Sequence, residues 1–234
     1  MNDKLSYNER IFSKGVRSRL HYARFYWLRE KTKKWWGKPA SVLELGCFDA
    51  KTISFLDPIP IKYSGYDANW ENGLDIAKTA FENPAYQFVE CSLPKQLNPS
   101  GDTFDLVICM ETLEHLPDDT LDEYLSKLKE AVGRFLFITI PNETGIIFLG
   151  KYLVKTLIFR EKMNPTYSLG DVVRQTFGKM GQVKHDDHKG FDYRRLVNQL
   201  RQDWEILEIN AIPFGWLPTF LGFSVGVVAR PKGQ

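Results

Sequence analysis

Residues Val42 to Thr52 read V-L-E-L-G-C-F-D-A-K-T. An apolar run from Ser41 to Gly46 that enters a glycine turn and then a helical signal brings backbone N–H groups to the C-terminal edge of a strand, where open α/β sheets bind nucleotides. A second run, Tyr63 to Asp67, ends in S-G-Y-D-A, and its acid lies about twenty residues beyond the glycine turn, the spacing that lets Asp67 accept two hydrogen bonds from a ribose diol. Further strands are predicted at Tyr86–Cys91, Phe104–Met110, Arg134–Ile140, Trp204–Ile212 and Phe220–Ala229. Helical periodicity lies between them, clearest at Asp118–Val132, where Leu121, Tyr124, Leu125 and Leu128 share a face, and at Tyr193–Gln202. This alternation predicts an α/β fold: a doubly wound, seven-stranded Rossmann-like sheet closed by a C-terminal antiparallel hairpin.

Outside this pattern lie two segments. Residues 1–38 form a basic, aromatic helical extension, with Tyr7, Phe12, Tyr22, Phe25, Tyr26, Trp27, Trp35 and Trp36 at helical spacing before Gly37 and Pro39 stop it. Within the main domain, 39–234, residues 143–183 fit no strand and are predicted as a helical insertion after the fifth strand, suited to a lid or an acceptor-binding element.

The chain has 234 residues, 43% hydrophobic and 26% charged, which describes an ordinary globular protein and excludes collagen-like and disordered classes. Three cysteines exclude a disulfide framework and imply a reducing, cytoplasmic setting. Cys47, Cys91 and Cys109 each fall at the end of a predicted strand, beside the nucleotide edge. No segment reaches the roughly 20 apolar residues of a membrane span, and the polar start carries no readable signal peptide. The net charge of +2 conceals a split: residues 1–38 hold eleven Lys or Arg against three acids, so the remainder is acidic by about six charges. Cations interleaved with rings suit RNA, an anionic glycolipid or a peripheral membrane contact, or else a helix that packs its rings on the sheet and shows its cations to solvent.

A dinucleotide fingerprint needs later glycines for close approach of the pyrophosphate, and Phe48 and Lys51 stand in those positions. A nucleoside cofactor without phosphate does not need them. From Ser41 through Ala229 the chain resembles the class I S-adenosylmethionine-dependent methyltransferases, with E-L-G-C-F-D-A as first motif, Y-D-A ending strand two, F-D-L-V-I-C-M-E-T-L-E-H-L as fourth motif and F-I-T-I-P-N as fifth strand. The resemblance implies that Glu44, Gly46, Cys47 and Phe48 line the methionine end of the cofactor. It places Asp67 and Ala68 at the ribose, Ser92 and Leu93 near adenine, and Met110 closing the pocket. The chain departs from that family where Phe48 and Ala50 replace glycines and Ser92 replaces an acid.

Methyl transfer to a hydroxyl needs alignment, exclusion of water, and a base or Lewis acid. Glu111, Glu114 and His115 follow strand four, and two carboxylates with an imidazole form a candidate Mg²⁺ or Mn²⁺ site. Further on, residues Lys184 to Leu196 read K-H-D-D-H-K-G-F-D-Y-R-R-L. Together these segments are similar to the small-RNA 3′-terminal 2′-O-methyltransferases, whose pattern implies Glu111, Glu114, His115 and His188 as metal ligands, with His185 as alternate. The inserted Gly190, with Asp192 and Tyr193, departs from it. The quinone-pathway O-methyltransferases are similar across C-M-E-T-L-E-H-L, and there Arg17 or Arg24 would reach the cofactor carboxylate. Both families act on adjacent hydroxyls. The expected activity is therefore O-methylation of a vicinal-diol acceptor, whether glycan, quinol precursor or RNA terminus, with Asp186 and Asp187 near the cation. Two alternatives stand beside it: a metal-independent methyltransferase using His115 or His188 as base, and a cofactor-binding pseudoenzyme acting as a partner subunit.

Overall fold

The computed structural model describes residues 8, 12, 15–37, 40–99, 101–158, 167–186 and 188–233. Seven strands form one sheet: β1 (Ser41–Leu45), β2 (Lys62–Asp67), β3 (Tyr86–Glu90), β4 (Phe104–Met110), β5 (Val132–Pro141), β6 (Trp204–Ile212) and β7 (Ser224–Pro231). Their spatial order is β3-β2-β1-β4-β5-β7-β6. Strands β1 to β5 are parallel, and β7 runs antiparallel between β5 and β6. The order reverses between β1 and β4, so the connections leaving these two strands cover opposite faces and a crevice opens at their C-terminal ends. Every side chain of β1 from Val42 to Leu45 and of β4 from Leu106 to Met110 is buried, as a central parallel strand covered on both faces requires.

Among the described residues the helices beside the sheet are α1 (Val16–Lys31), α2 (Gly73–Ala80), α3 (Asp118–Ala131), α4 (Gly145–Leu153), α5 (Leu169–Thr176) and α6 (Tyr193–Asp203). On one face α3 and α6 bury Leu121, Tyr124, Leu125, Leu128, Leu196, Val197 and Leu200 against Leu43, Val107, Leu136 and Val227. On the other, α1 contributes Phe25, Trp27 and Leu28 to a core with Val42, Tyr63, Ile108, Phe137 and Val228. The insertion is helical across its described part, as α4, α5 and a 3-10 turn at Met180–Gln182.

The sequence expectations differ from the structure at two elements. Strand β7 starts at Ser224 rather than Phe220, because Pro218 leads into a 3-10 turn at Thr219–Leu221. The leading helix continues into a π-turn, Thr32–Trp36, and ends at Gly37 in the left-handed region. It does pack its rings on the sheet, but not all its cations face solvent. Arg24 and Lys31 are buried, Lys31 pairing with Glu208 of β6 at 2.8 Å. That carboxylate also accepts from Trp35 and pairs with Lys34, and the cluster of cations holds the Glu208 carboxyl below its ordinary range despite its partial burial.

The contact that seats α1 is between Trp27 and Gly226. The Trp27 indole donates to Asn210 Oδ1 at 3.2 Å, and a Cβ at Gly226 would stand 2.3 Å from the ring. Gly226→Ala is therefore expected to lower unfolding stability by roughly 2 kcal/mol through overpacking, measurable by denaturant titration. Trp27→Phe in the same background should restore part of the loss.

Candidate active site

At the end of β1 the chain turns through Gly46 (φ 78), Phe48 (φ 47) and Ala50 (φ 53). All three are left-handed, so the turn keeps a glycine-type path although two of the residues are not glycine. Such residues cost roughly 1–2 kcal/mol each unless their surroundings hold them. Here the Phe48 amide donates to Asp67 Oδ2 at 3.0 Å, and the Phe48 ring lies against Gly73 and, at 5.9 Å, Trp70. Gly46 itself admits no side chain: a Cβ there would meet Thr112 Oγ1 at 2.0 Å. The Thr112 hydroxyl contacts the carbonyls of both Leu45 and Met110 at 3.2 Å, tying the ends of β1 and β4 together.

Asp67 closes β2 beside this turn. Its Oδ1 accepts from Asn69 N at 2.8 Å while Oδ2 takes Phe48 N, and the Trp70 amide adds to them, so the carboxylate is oriented by backbone amides. A carboxylate has about four acceptor positions, which leaves capacity for a further donor at this edge. Burial raises the Asp67 carboxyl above its usual range in spite of these amides. Ala68, Ser92 and Leu93 are exposed along the same edge. The Ser92 and Leu93 amides both donate to Gln96 Oε1, at 2.9 and 2.8 Å, which shapes the turn after β3. Met110, 7% exposed, ends β4 in register with Thr139 of β5. Two members of the expected cofactor set lie beneath this edge rather than on it. The Glu44 carboxylate is buried and accepts the hydroxyls of Thr52 and Tyr63, with burial pushing it up to about 8. Cys47 is buried, as are Cys91 and Cys109, and all three are free thiols.

After β4 the chain passes through Glu111 in the left-handed region (φ 52), held by its amide donating to the Thr139 carbonyl at 2.9 Å, and enters a 3-10 turn, Leu113–His115. The structure brings Glu114, His115 and His188 together, with one donor atom of each within 4.8 Å of the others. His115 and His188 meet edge to face at 4.5 Å between centroids, and His115 Nε2 lies 3.8 Å from Glu114 Oε1. Glu114 is fully buried, and neither carboxylate oxygen has a hydrogen-bond partner among the described residues. Burial, followed by the nearby Glu111 charge, pushes its carboxyl up to about 8. A buried carboxylate in this state is stabilised by a proton or by a cation.

The fourth expected ligand, Glu111, stands apart from this group. Its Oε2 pairs with Arg24 Nη1 of α1 at 3.8 Å, both side chains largely buried. Arg24, one of the two residues expected at the cofactor carboxylate, is engaged by Glu111, whereas Arg17 is exposed at the start of α1. His185 is unsuited to the role of alternate ligand: Nδ1 contacts Asp118 Oδ1 at 2.9 Å and Nε2 the Glu114 carbonyl at 3.2 Å. It lines a separate cleft of about 450 Å³ between α3 and α6, with Asp118, Asp192 and Arg195. Asp186 is exposed and forms a backbone bridge with Lys189, and Asp187 lies outside the described residues. The inserted Gly190 is required by its turn: it sits at φ 76, and a Cβ would approach the Val183 carbonyl to 2.9 Å. That tight return positions the loop bearing His188 over the 3-10 turn.

Sequence reasoning missed Thr112, Asn69 and Trp70, which hold the turns at the ends of β1, β2 and β4. Thr112 was within reach, since it lies inside the M-E-T-L-E-H stretch. It also missed His21, one helical turn from Arg24, whose ring meets Phe223 at 5.6 Å and whose pKa is lowered to about 3 by burial and then by Arg24, Arg17 and Lys151.

Comparison with known proteins agrees with this geometry. A methyltransferase-domain family model matches residues 20–206. The ubiquinone biosynthesis O-methyltransferase of Mesorhizobium japonicum is 26% identical over 141 residues, 57% of this chain and 53% of that protein, so the match spans about half the relative's length. The corresponding Coxiella burnetii protein is 24% identical over 168 residues, 69% of this chain and 71% of that one. Among solved structures, an S-adenosylmethionine-dependent methyltransferase from Clostridium acetobutylicum superposes with TM-score 0.66 at 14% identity, covering 97% of this chain and 99% of its own. The methyltransferase domain of bacterial CtHen1 gives 0.57 at 16%, covering 90% and 99%. Magnesium protoporphyrin IX methyltransferase from Synechocystis, solved with bound SAH, gives 0.56 at 15%, covering 96% and 92%. With the strand order, the glycine turn and the family model all in agreement, the chain belongs to the methyltransferase-domain family and has the class I S-adenosylmethionine-dependent methyltransferase fold.

Proposed function

We propose that the protein transfers a methyl group from S-adenosylmethionine to one oxygen of a vicinal diol, with a divalent cation held by Glu114, His115 and His188. The observation that carries this reading is the Glu114 carboxylate: buried, bonded by no donor among the described residues, and within reach of two imidazoles at the sheet edge. A mixed oxygen and nitrogen donor set of this kind suits Mn²⁺ better than the oxygen-preferring Mg²⁺. When bound there, the cation supplies Lewis acidity that lowers the pKa of a chelated hydroxyl.

The remaining work falls to the chain. Asp67 fixes the ribose, and the left-handed turn from Gly46 to Ala50 lets the backbone approach the methionine end. The acceptor oxygen then attacks the methyl carbon as the carbon–sulfur bond breaks, and the hydroxyl proton, made more acidic by chelation, leaves to solvent, since His115 and His188 each give their one basic nitrogen to the cation in this reading. The curated relatives' O-methyltransferase names support oxygen as the acceptor atom, and a quinol or sugar diol fits the site chemistry. The second reading, methylation without a metal, is favoured by the same His115–His188 contact, which would let one imidazole act as base and the other orient it.

S-adenosylhomocysteine is expected to bind in a calorimeter, and Asp67→Ala to weaken it by about 30-fold, the loss of charge-assisted hydrogen bonds of about 2 kcal/mol. An absence of heat at millimolar ligand would overturn the methyltransferase reading, and binding without turnover on any acceptor would support the partner-subunit alternative. In a transfer screen with labelled cofactor over catechol, nucleotide-sugar and RNA acceptors, Mn²⁺ should raise turnover and EDTA abolish it. Glu114→Gln, which keeps the volume and removes the charge, and His188→Ala should each cost about 100-fold, on the order of a lost metal ligand. Full activity through EDTA and in Glu114→Gln, with loss confined to His188→Ala, would leave the metal-independent reading.

A further inference from the structure

The insertion exposes apolar surface in an ordered way. Along α4 and the π-turn that continues it, Ile146, Leu153, Val154 and Leu157 recur at i, i+7, i+8 and i+11, one helical face, and all four are exposed. The inward face carries Phe148, fully buried and ringed by Tyr152 and Tyr167. Helix α5 repeats the arrangement with Leu169, Val173 and Phe177 at i, i+4 and i+8, Leu169 being 82% exposed, while Val172 and Gln175 face inward. The Gln175 amide donates to the Glu143 carbonyl at 2.9 Å, so the outward aim of the apolar stripe is fixed by a buried polar contact.

Helix α4 packs on α5 and on the Thr219–Leu221 turn. That turn belongs to residues 213–223, P-F-G-W-L-P-T-F-L-G-F, a segment without a single charge. Phe214, Trp216 and Phe220 are exposed on it, Trp216 by 80%. Three adjoining elements thus present large apolar side chains to solvent, more than a soluble monomer ordinarily tolerates in one region. Charge distinguishes the occupant. The acids of the insertion's described part are consumed internally, Glu143 by Lys151 at 3.0 Å and Asp171 by Lys189 at 2.9 Å. Lys179, two residues beyond Phe177, is exposed, and Lys155, next to Val154 in the π-turn, is half-buried. The basic start of α1, with Arg17 and Arg19 exposed, adjoins the uncharged loop through the His21–Phe223 contact.

From this combination we infer that the face formed by α4, α5 and residues 213–223 docks on an anionic bilayer surface. Aromatic and aliphatic side chains would enter the interfacial layer, and the bordering lysines and arginines would meet anionic headgroups. A second copy of the chain fits less well, because a self-complementary contact would bring the same cations against each other. The inference is independent of the acceptor and the metal, since it concerns side chains outside the Glu114 group.

The test is flotation of the full chain with vesicles of phosphatidylcholine alone and with added phosphatidylglycerol. The protein should float with the anionic vesicles and be released by salt. Phe177→Ser and Trp216→Ser should each lower partitioning by about tenfold, and Lys155→Glu with Lys179→Glu should erase the preference for the anionic lipid. Both apolar changes are at exposed positions, so binding of S-adenosylhomocysteine should persist in every variant, which separates failure of docking from failure of the cofactor site. Absence of flotation, flotation indifferent to these substitutions, or a concentration-dependent dimer that Phe177→Ser dissociates would each overturn the inference.

Discussion

The left-handed backbone at the ends of β1 and β4 is the constraint on which the rest depends. Gly46, Phe48 and Ala50 on one strand end, and Glu111 on the other, face each other across the point where the strand order reverses. Thr112 joins the two ends through its contacts with Leu45 and Met110, and Asp67 joins the first to β2 through the Phe48 amide. A backbone in this region is unfavourable for residues with a Cβ. It persists because strand pairing on both sides leaves each turn one path back to the surface, and because Phe48 recovers part of the cost by packing on Gly73 and Trp70. The same turns keep their own amides bonded within the protein, Gly46 and Cys47 to the Tyr66 carbonyl, Phe48 to Asp67 and Glu111 to the Thr139 carbonyl, so both strand ends are fixed in place.

Helix α1 completes this edge and changes the meaning of the charge split. Trp27 fits over Gly226, and the Lys31–Glu208 pair holds the helix's far end to β6. With the helix so fixed, Arg24 reaches the end of β4 and His21 faces the loop before β7. The basic segment is therefore no detached arm. Among its described cations Arg24 enters the acidic edge, Lys31 and Lys34 pair with Glu208, Arg29 and Lys33 pair with Asp57, and Arg17 and Arg19 are exposed at the end of α1 nearer the uncharged loop.

Much of this was legible in the sequence because it follows from periodicity and from two turns. Apart from the late start of β7, the strands and the helices Asp118–Ala131 and Tyr193–Asp203 lie within a residue or two of where the apolar patterns place them, since buried strands and amphipathic helices write their burial directly into residue order. The positions of Gly46 and Asp67 at the strand ends were legible, because the backbone sets them. Glu44 was not, because its environment comes from Thr52 and Tyr63, on different elements. His185 and His188 are three residues apart and chemically identical on paper. Only the tight turn at Gly190 and the position of Asp118 decide that one meets His115 and the other bonds α3. The outward apolar stripes of α4 and α5 were equally hidden, for a helical period reports that a face is apolar and not which way it points.

The two acids after β4 then resolve into different tasks. Both are withdrawn from water, and two like charges this near each other raise the cost of ionising either. Glu111 is compensated from within the protein, by Arg24, which cannot lose its proton. Glu114 has no such partner among the described residues, and its turn places it next to two imidazoles whose charge is adjustable. An internal ion pair at one carboxylate keeps the edge folded whether or not ligand is present, whereas the other is left with an electrostatic demand that folding alone does not satisfy. A proton meets that demand at low cost but leaves the imidazoles nothing to share. A divalent cation would meet it while engaging all three donors at once, so the proposed metal-assisted chemistry rests on the arrangement more than on any single residue in it.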